Sequence, residues 1–186
     1  MVRSSGLEWT ILRLAAALPL ALKLDPGMFD IPLWNRMEYV HTRDVGLAFA
    51  NAVSCADVWN KILLIGGGPR CQYTYGEITG LVLDGMGVGK LPERAFCSTP
   101  FPTDWLDTTE SQRLLRYQRH TLDDYVTDMR SQLGYRRFLI RMFHPAVRYL
   151  LLNQSRLYHA GRSSWFAVMM QGFKMLKGKP SKVRIG

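Results

Sequence analysis

The sequence predicts an α/β fold, and three features carry that expectation. A short apolar stretch ends in a histidine and an aspartate (Glu38-Tyr39-Val40-His41-Thr42-Arg43-Asp44-Val45), helix-spaced apolar residues follow it, and a second apolar stretch is closed by glycines (Lys61-Ile62-Leu63-Leu64-Ile65-Gly66-Gly67-Gly68). Strand, capped helix and strand in succession argue for α/β rather than all-α architecture. With 186 residues, 47% of them hydrophobic and 21% charged, the chain is long enough to bury a core and too apolar to stay disordered.

A first strand is expected over residues 8–13, where β-branched and aromatic side chains gather. It runs into an apolar, Ala- and Leu-rich segment, residues 14–22, preceded by Arg3 and Arg13. That segment has the outline of a secretory signal, but Glu8 sits in the region that should be basic, and the strand accounts for the residues better. No stretch reaches the roughly 18 apolar residues of a membrane span. Pro26-Gly27 and Pro32 then mark a loop.

The next strand is expected at residues 38–41, with Asp44 capping a helix that runs to about Cys55. Val45, Ala48, Phe49, Ala52 and Val53 repeat at helical spacing and form its expected buried face. Residues 61–65 are continuously apolar after Lys61, as in strands covered on both faces of a parallel sheet. Thr74-Tyr75-Gly76-Glu77 fits a capping box for a helix to about Gly87. Asp107 or Thr108 starts a short helix to Arg116, and Thr121-Leu122-Asp123-Asp124 starts another to about Leu133.

Several residues invite a chemical reading. Gly66-Gly67-Gly68 lacks the G-x-G-x-x-G spacing of a phosphate loop and reads better as a turn needing positive φ. His41 has the pKa of a general base, but a histidine bonded to backbone suits a strand end better, and His120 and His144 read as structural too. Asp104 and Asp107 could pair as acid and base, yet Asp107 is explained by the helix it precedes. Cys55, Cys71 and Cys97 show neither an even count nor C-x-x-C spacing, so no disulfide framework or zinc site is expected, and a reducing, cytoplasmic compartment is.

Taken together, residues 7–134 resemble the later part of an extended short-chain dehydrogenase/reductase, the family of NAD(P)-dependent epimerases and dehydratases. Trp9-Thr10-Ile11-Leu12-Arg13 resembles the family strand that ends in Arg-Pro, with Leu14 in place of the proline. Tyr39-Val40-His41-Thr42-Arg43-Asp44 resembles its strand-to-helix signature. Asp107-Thr108-Thr109-Glu110-Ser111-Gln112-Arg113-Leu114-Leu115, Tyr117 and Thr121-Leu122-Asp123-Asp124 resemble the segment before its last helix.

The resemblance implies a partial Rossmann-like fold, with late strands and a helix over residues 1–70 and a small substrate-side lobe over 71–135; outside it, residues 136–186 read from their composition as a basic helical tail. It implies nicotinamide contacts at Leu14 and Ala15, and a substrate diphosphate or other anion at Arg113, with Arg36 three positions before Tyr39 as a second candidate. It also implies NAD or NADP in the complete protein, hydride transfer at a carbonyl or alcohol carbon, and a Tyr-x-x-x-Lys pair for the proton. No tyrosine of this sequence has a lysine four positions on, and no glycine-rich cofactor turn precedes the first strand. The chain is therefore expected to be the carboxy-terminal part of such a protein, to need the missing N-terminal half as partner, and to bind no NAD(P) tightly alone. The alternative is a non-catalytic interaction or membrane-surface protein on a degenerate version of the same scaffold.

Net charge is +9, and it is uneven. Residues 129–186 hold twelve of the 24 Lys and Arg and no Asp or Glu, leaving the other twelve against all fifteen acidic residues, a net of −3. Basic residues there stand among aromatic and aliphatic ones, Arg137 and Arg141 beside Phe138 and Met142, then Trp165 to Met170 before Lys174, Lys177, Lys179 and Lys182. That composition fits peripheral contact with an anionic membrane surface, and it also fits a helix covering the core. Nucleic acid fits less well, because no recognised binding motif is present.

Overall fold

A computed structural model of the chain describes residues 4, 6–19 and 25–158. Residues 20–22 of the apolar segment and the aromatic and lysine-rich residues from 165 on lie outside the described residues.

Strand β1 (Thr10–Leu14) pairs in parallel with β3 (Lys61–Ile65), Thr10 opposite Lys61 and Leu14 opposite Ile65. Strand β2 (Arg36–Glu38) pairs antiparallel with β4 (Gln72–Thr74). The two pairs are joined through Tyr39 and Val40: Val40 N–H donates to Ala16 at 2.9 Å, Gly67 N–H to Tyr39 at 2.9 Å, and Tyr39 N–H to Cys71 at 2.9 Å. The strand expected at residues 38–41 thus lies earlier, because its first residues find partners on β4 and its last ones bond Ala16.

Helix α1 (Thr42–Val53) starts two residues before Asp44, and its cap is His41, whose Nδ1 accepts from Arg43 N–H at 3.1 Å. Asp44 lies inside the first turn with its carboxylate turned elsewhere. The face of α1 also differs from expectation. Ala48 is buried and Val45 and Ala52 half-buried, whereas Phe49 is 50% and Val53 85% exposed. Helical period defines a stripe, but only its centre meets β1 and β3.

The same holds for β3. Leu63 and Ile65 are buried with Val40, Ala48, Val58, Leu115 and Tyr117, against which the half-buried Leu12 packs, while Ile62 on the other face is 38% exposed and Leu64 half-buried. Side chains alternate along a strand, and parallel partners share a face, so the described residues cover one face of the β1–β3 pair and leave the other largely open.

The remaining helices begin as their caps predict. In α2 (Tyr75–Met86) the Thr74 hydroxyl accepts from Glu77 N–H at 3.3 Å and the Glu77 carboxylate from Thr74 N–H at 2.6 Å. Asp107 accepts from Thr109 N–H at 3.0 Å at the start of α3 (Thr109–Leu115). Asp124 accepts from Thr121 N–H at 2.7 Å to open α4 (Leu122–Leu133). Helices α5 (Tyr135–Met142) and α6 (His144–Leu152) follow directly. A second core gathers Tyr39, Ile78, Leu83, Phe96, Leu122, Tyr125, Met129 and Leu151, so both cores draw on residues before and after position 70. Among the described residues, no helix is long and apolar enough to cross a membrane.

Candidate functional site

The glycine turn after β3 is fixed from all sides. Tyr117, fully buried, donates its hydroxyl hydrogen to Gly66 C=O at 2.9 Å and accepts from Gly66 N–H at 3.1 Å. Gly67 N–H donates to Tyr39 C=O, and Gly68 N–H to Glu38 Oε1 at 3.0 Å. Gln118 adds a bond to Gly66 C=O at 2.9 Å and one to Thr108 at 2.8 Å. All three glycine amides are spent inside the protein, so this turn does not fit a pyrophosphate, whose cradle requires free N–H groups.

Positive φ explains only one of these glycines, Gly68 at +76°. The other two are close approaches: a Cβ on Gly66 would collide with the Glu38 carboxylate, and one on Gly67 would stand 2.5 Å from Tyr39 C=O. The expectation of a turn needing positive φ holds at Gly68, and close approaches account for Gly66 and Gly67.

Glu38 organises this knot and carries no functional assignment in the sequence reading. It is 2% exposed. Its Oε2 accepts from Leu106 N–H at 2.8 Å and from Gln72 at 3.2 Å, so one carboxylate ties β2 to the glycine turn, to β4 and to the loop before α3. Buried carboxylates persist only when their lone pairs are satisfied, and here neutral donors do so. Its position directly before the Tyr39 signature was the one available signal.

A second carboxylate, Asp44, is fully buried and accepts from Arg119 N–H and His120 N–H, each at 2.9 Å, and from His120 Nδ1 at 2.6 Å. The His120 ring stacks on His41 with centroids 4.7 Å apart. Because Nδ1 of His41 accepts the cap bond, its neutral form carries the proton on Nε2, 3.5 Å from Asp128, which also pairs with Arg43 at 2.7 Å. Burial first, and then the His120 ring, hold the His41 pKa below its usual value, against the pull of Asp128 and Asp44. A neutral capping histidine is a structural group. The nearby thiol of Cys71 is pushed up to about 11 by burial and is no nucleophile at neutral pH. Among the described residues, no three His, Cys, Asp or Glu are grouped to hold a metal.

The four residues singled out from sequence fall in three places. Leu14 is exposed at the end of β1, and Ala15 is half-buried with its N–H on Ile65 C=O at 2.8 Å. Arg36 lies on β2, 3.8 Å from Asp104, with its guanidinium over the Trp105 ring at 4.6 Å. Arg113 is exposed on α3. Among the described residues, no hydrogen bond, ion pair or ring contact joins Arg36 to Arg113, and Arg36 is already engaged by a carboxylate and an aromatic face. Asp104 and Asp107 each accept from a backbone N–H, at Trp105 and Thr109.

No family model matches the chain, and no curated protein matches it. Its fold is similar to several solved structures. UDP-glucuronic acid 4-epimerase from Bacillus cereus, solved with UDP-glucuronic acid and NAD, matches with a TM-score of 0.51 at 17% identity, over 67% of this chain and 46% of that one. A dTDP-glucose 4,6-dehydratase from Streptomyces venezuelae, solved with NAD bound, matches with a TM-score of 0.52 at 24% identity, over 72% and 45%. UDP-glucose 4-epimerase from Thermotoga maritima matches with a TM-score of 0.50 at 21% identity, over 72% and 49%. The chain therefore carries part of the fold of the NAD-dependent epimerases and dehydratases of the short-chain dehydrogenase/reductase superfamily, and spans about half the length of the structures it matches.

Proposed function

We propose that the chain is the carboxy-terminal part of an NAD(P)-dependent epimerase, dehydratase or dehydrogenase, and forms the substrate-side wall of its cleft. The observation that carries this is the β1–β3 pair, covered on the face of Leu12, Leu63 and Ile65 but largely open on the other, where Ile62 is exposed and Ile11 and Leu64 are only half-buried. A parallel sheet is stable when both faces are covered, and a second body with the remaining strands supplies that cover in this reading. Arg113 is the better substrate contact, because among the described residues its guanidinium has no partner, and five donors in a fixed fork suit a diphosphate. Arg36 is the weaker one, being held by Asp104 and Trp105.

In this reading the role of the chain is positional. The dinucleotide cradle and the proton donor come from the other half, since the Gly66 to Gly68 amides are consumed and no Tyr-x-x-x-Lys is present. Alone, the chain turns over no substrate. The coding sequence upstream of Met1 tests the proposal: a strand with a glycine-rich turn and a Tyr-x-x-x-Lys in the same frame is the expected result, and an in-frame stop codon directly upstream overturns it.

A second reading, a non-catalytic interaction protein on this scaffold, draws on the same engaged glycine turn.

A further inference from the structure

Helix α5 has no buried residue. Its outward side is Tyr135, Phe138, Leu139 and Met142, spaced i, i+3, i+4, i+7, with Tyr135 75% and Phe138 68% exposed. On the opposite side Ile140 packs on the core and Arg137 donates its Nε–H to Gly85 C=O at 2.8 Å, so the orientation of the stripe is fixed by what α5 rests on. The helix period places Arg136 and Arg141 on the two flanks of the stripe. The apolar surface continues past the helix: Phe143 is exposed, and so are Tyr149 and Leu150 on α6, while Leu151 and Leu152 face inward.

Beside this surface opens a cavity of about 520 Å3, lined by Arg137, Arg141, His144 and Arg148, with Asp84 as its one carboxylate. Arg148 donates to Lys90 C=O at 2.5 Å, whereas Arg141 has no side-chain partner among the described residues.

We propose that α5 and α6 form a docking surface for an anionic phospholipid bilayer, the apolar stripe entering the acyl boundary and Arg136 and Arg141 on its flanks meeting lipid phosphates. Charge complementarity selects this occupant: α5 and α6 hold four Arg and no acidic residue, and interfacial helices combine such a basic flank with an aromatic and aliphatic centre. A second copy of the chain would set the same arginines against one another, which disfavours self-association through this face.

The test is sedimentation of the full chain with vesicles of phosphatidylcholine alone or with 30% phosphatidylserine. Binding to the anionic vesicles is expected, with at least a tenfold loss in 0.5 M NaCl, in the pair Arg136→Gln with Arg141→Gln, and in the pair Phe138→Ser with Met142→Ser. All four positions are exposed or lack buried contacts, so the thermal midpoint should hold and report that the variants fold. Equal binding to neutral vesicles overturns the proposal, as does unchanged binding by the Phe138/Met142 pair, which would assign attachment to residues beyond 158. Absence of binding, or concentration-dependent dimerisation lost in Phe138→Ser, overturns it as well.

Discussion

Asp44 Oδ1 and His120 Nδ1 lie 2.6 Å apart although the residues are 76 positions apart in sequence. The contact, together with the Arg119 and His120 amides on Oδ2, makes Asp44 the bolt between α1 and the segment that leads into α4. Asp44→Asn keeps the shape but turns an amide group toward three donors. Hydrogen bonds to a buried charge contribute about 1.5–3 kcal/mol each, so a loss of about 3 kcal/mol is expected in urea unfolding. A loss under about 1 kcal/mol would show that the bolt is ornamental.

The glycine turn yields a coupling prediction. Gly66→Ala drives a methyl group into the Glu38 carboxylate, while Glu38→Ala frees that space and leaves the Gly68 and Leu106 amides unpaired. Each single variant should destabilise by about 2–4 kcal/mol, and the double variant by clearly less than the sum, with a coupling above about 1 kcal/mol. Additive losses would contradict the contact.

Tyr117→Phe removes the hydroxyl that serves both Gly66 N–H and Gly66 C=O. Gln118 still reaches the carbonyl, so the unpaired group is the amide, at a cost of about 1–3 kcal/mol. Amide hydrogen exchange at Gly66 should accelerate accordingly, and unchanged protection there would argue against the bond.

His41 makes stability depend on pH. Its folded pKa lies below the ordinary 6.5, chiefly through burial and then through His120, and the groups facing it are Tyr39, Arg43, Asp44, His120 and Asp128. Above about pH 6.5 folded and unfolded chains both carry neutral imidazole, and nothing is lost. As pH falls below that value the unfolded chain takes up the proton first, so stability declines until the folded pKa is passed. His41→Asn retains an N-cap acceptor and cannot titrate. Its thermal midpoint should fall less between pH 7.5 and 5.5 than that of the parent, and an identical slope would assign the effect to another group.

The capping carboxylates act in a lower window. Glu77 and Asp124 both have depressed pKa values, first through backbone N–H bonds from Thr74 and Thr121 and then through their hydroxyls. Their contribution is present above the usual carboxylate range near about 4 and disappears as pH falls through the depressed values. Thr74→Ala and Thr121→Ala should flatten the acid limb of the stability curve measured between pH 5 and 2.5.

What the sequence made legible was local. Both capping boxes join residues three positions apart, and Asp107 bonds Thr109, so spacing alone revealed them. The roles of Glu38 and Asp44 were not legible, because their partners are remote: Leu106 lies 68 positions from Glu38 and His120 76 from Asp44. Period placed Phe49 and Val53 on the inner stripe of α1 and read residues 61–65 as a two-sided strand. Neither pattern reports whether a neighbouring layer exists, and Phe49, Val53 and Ile62 stand exposed. Gly66 and Gly68 look alike in sequence, yet only the second needs positive φ. Arg113 was the first candidate substrate contact and Arg36 the second, and nothing in the sequence signalled that Asp104 and Trp105 engage Arg36.

The central claim is that this chain carries the substrate-side part of a dinucleotide enzyme without its cofactor cradle. Isothermal titration of the 186-residue chain with NAD+ and NADH tests it most directly. No saturable heat is predicted up to millimolar cofactor, because the Gly66, Gly67 and Gly68 amides are all engaged. A micromolar Kd on this chain alone would contradict it, since the cradle would then have to lie among these residues.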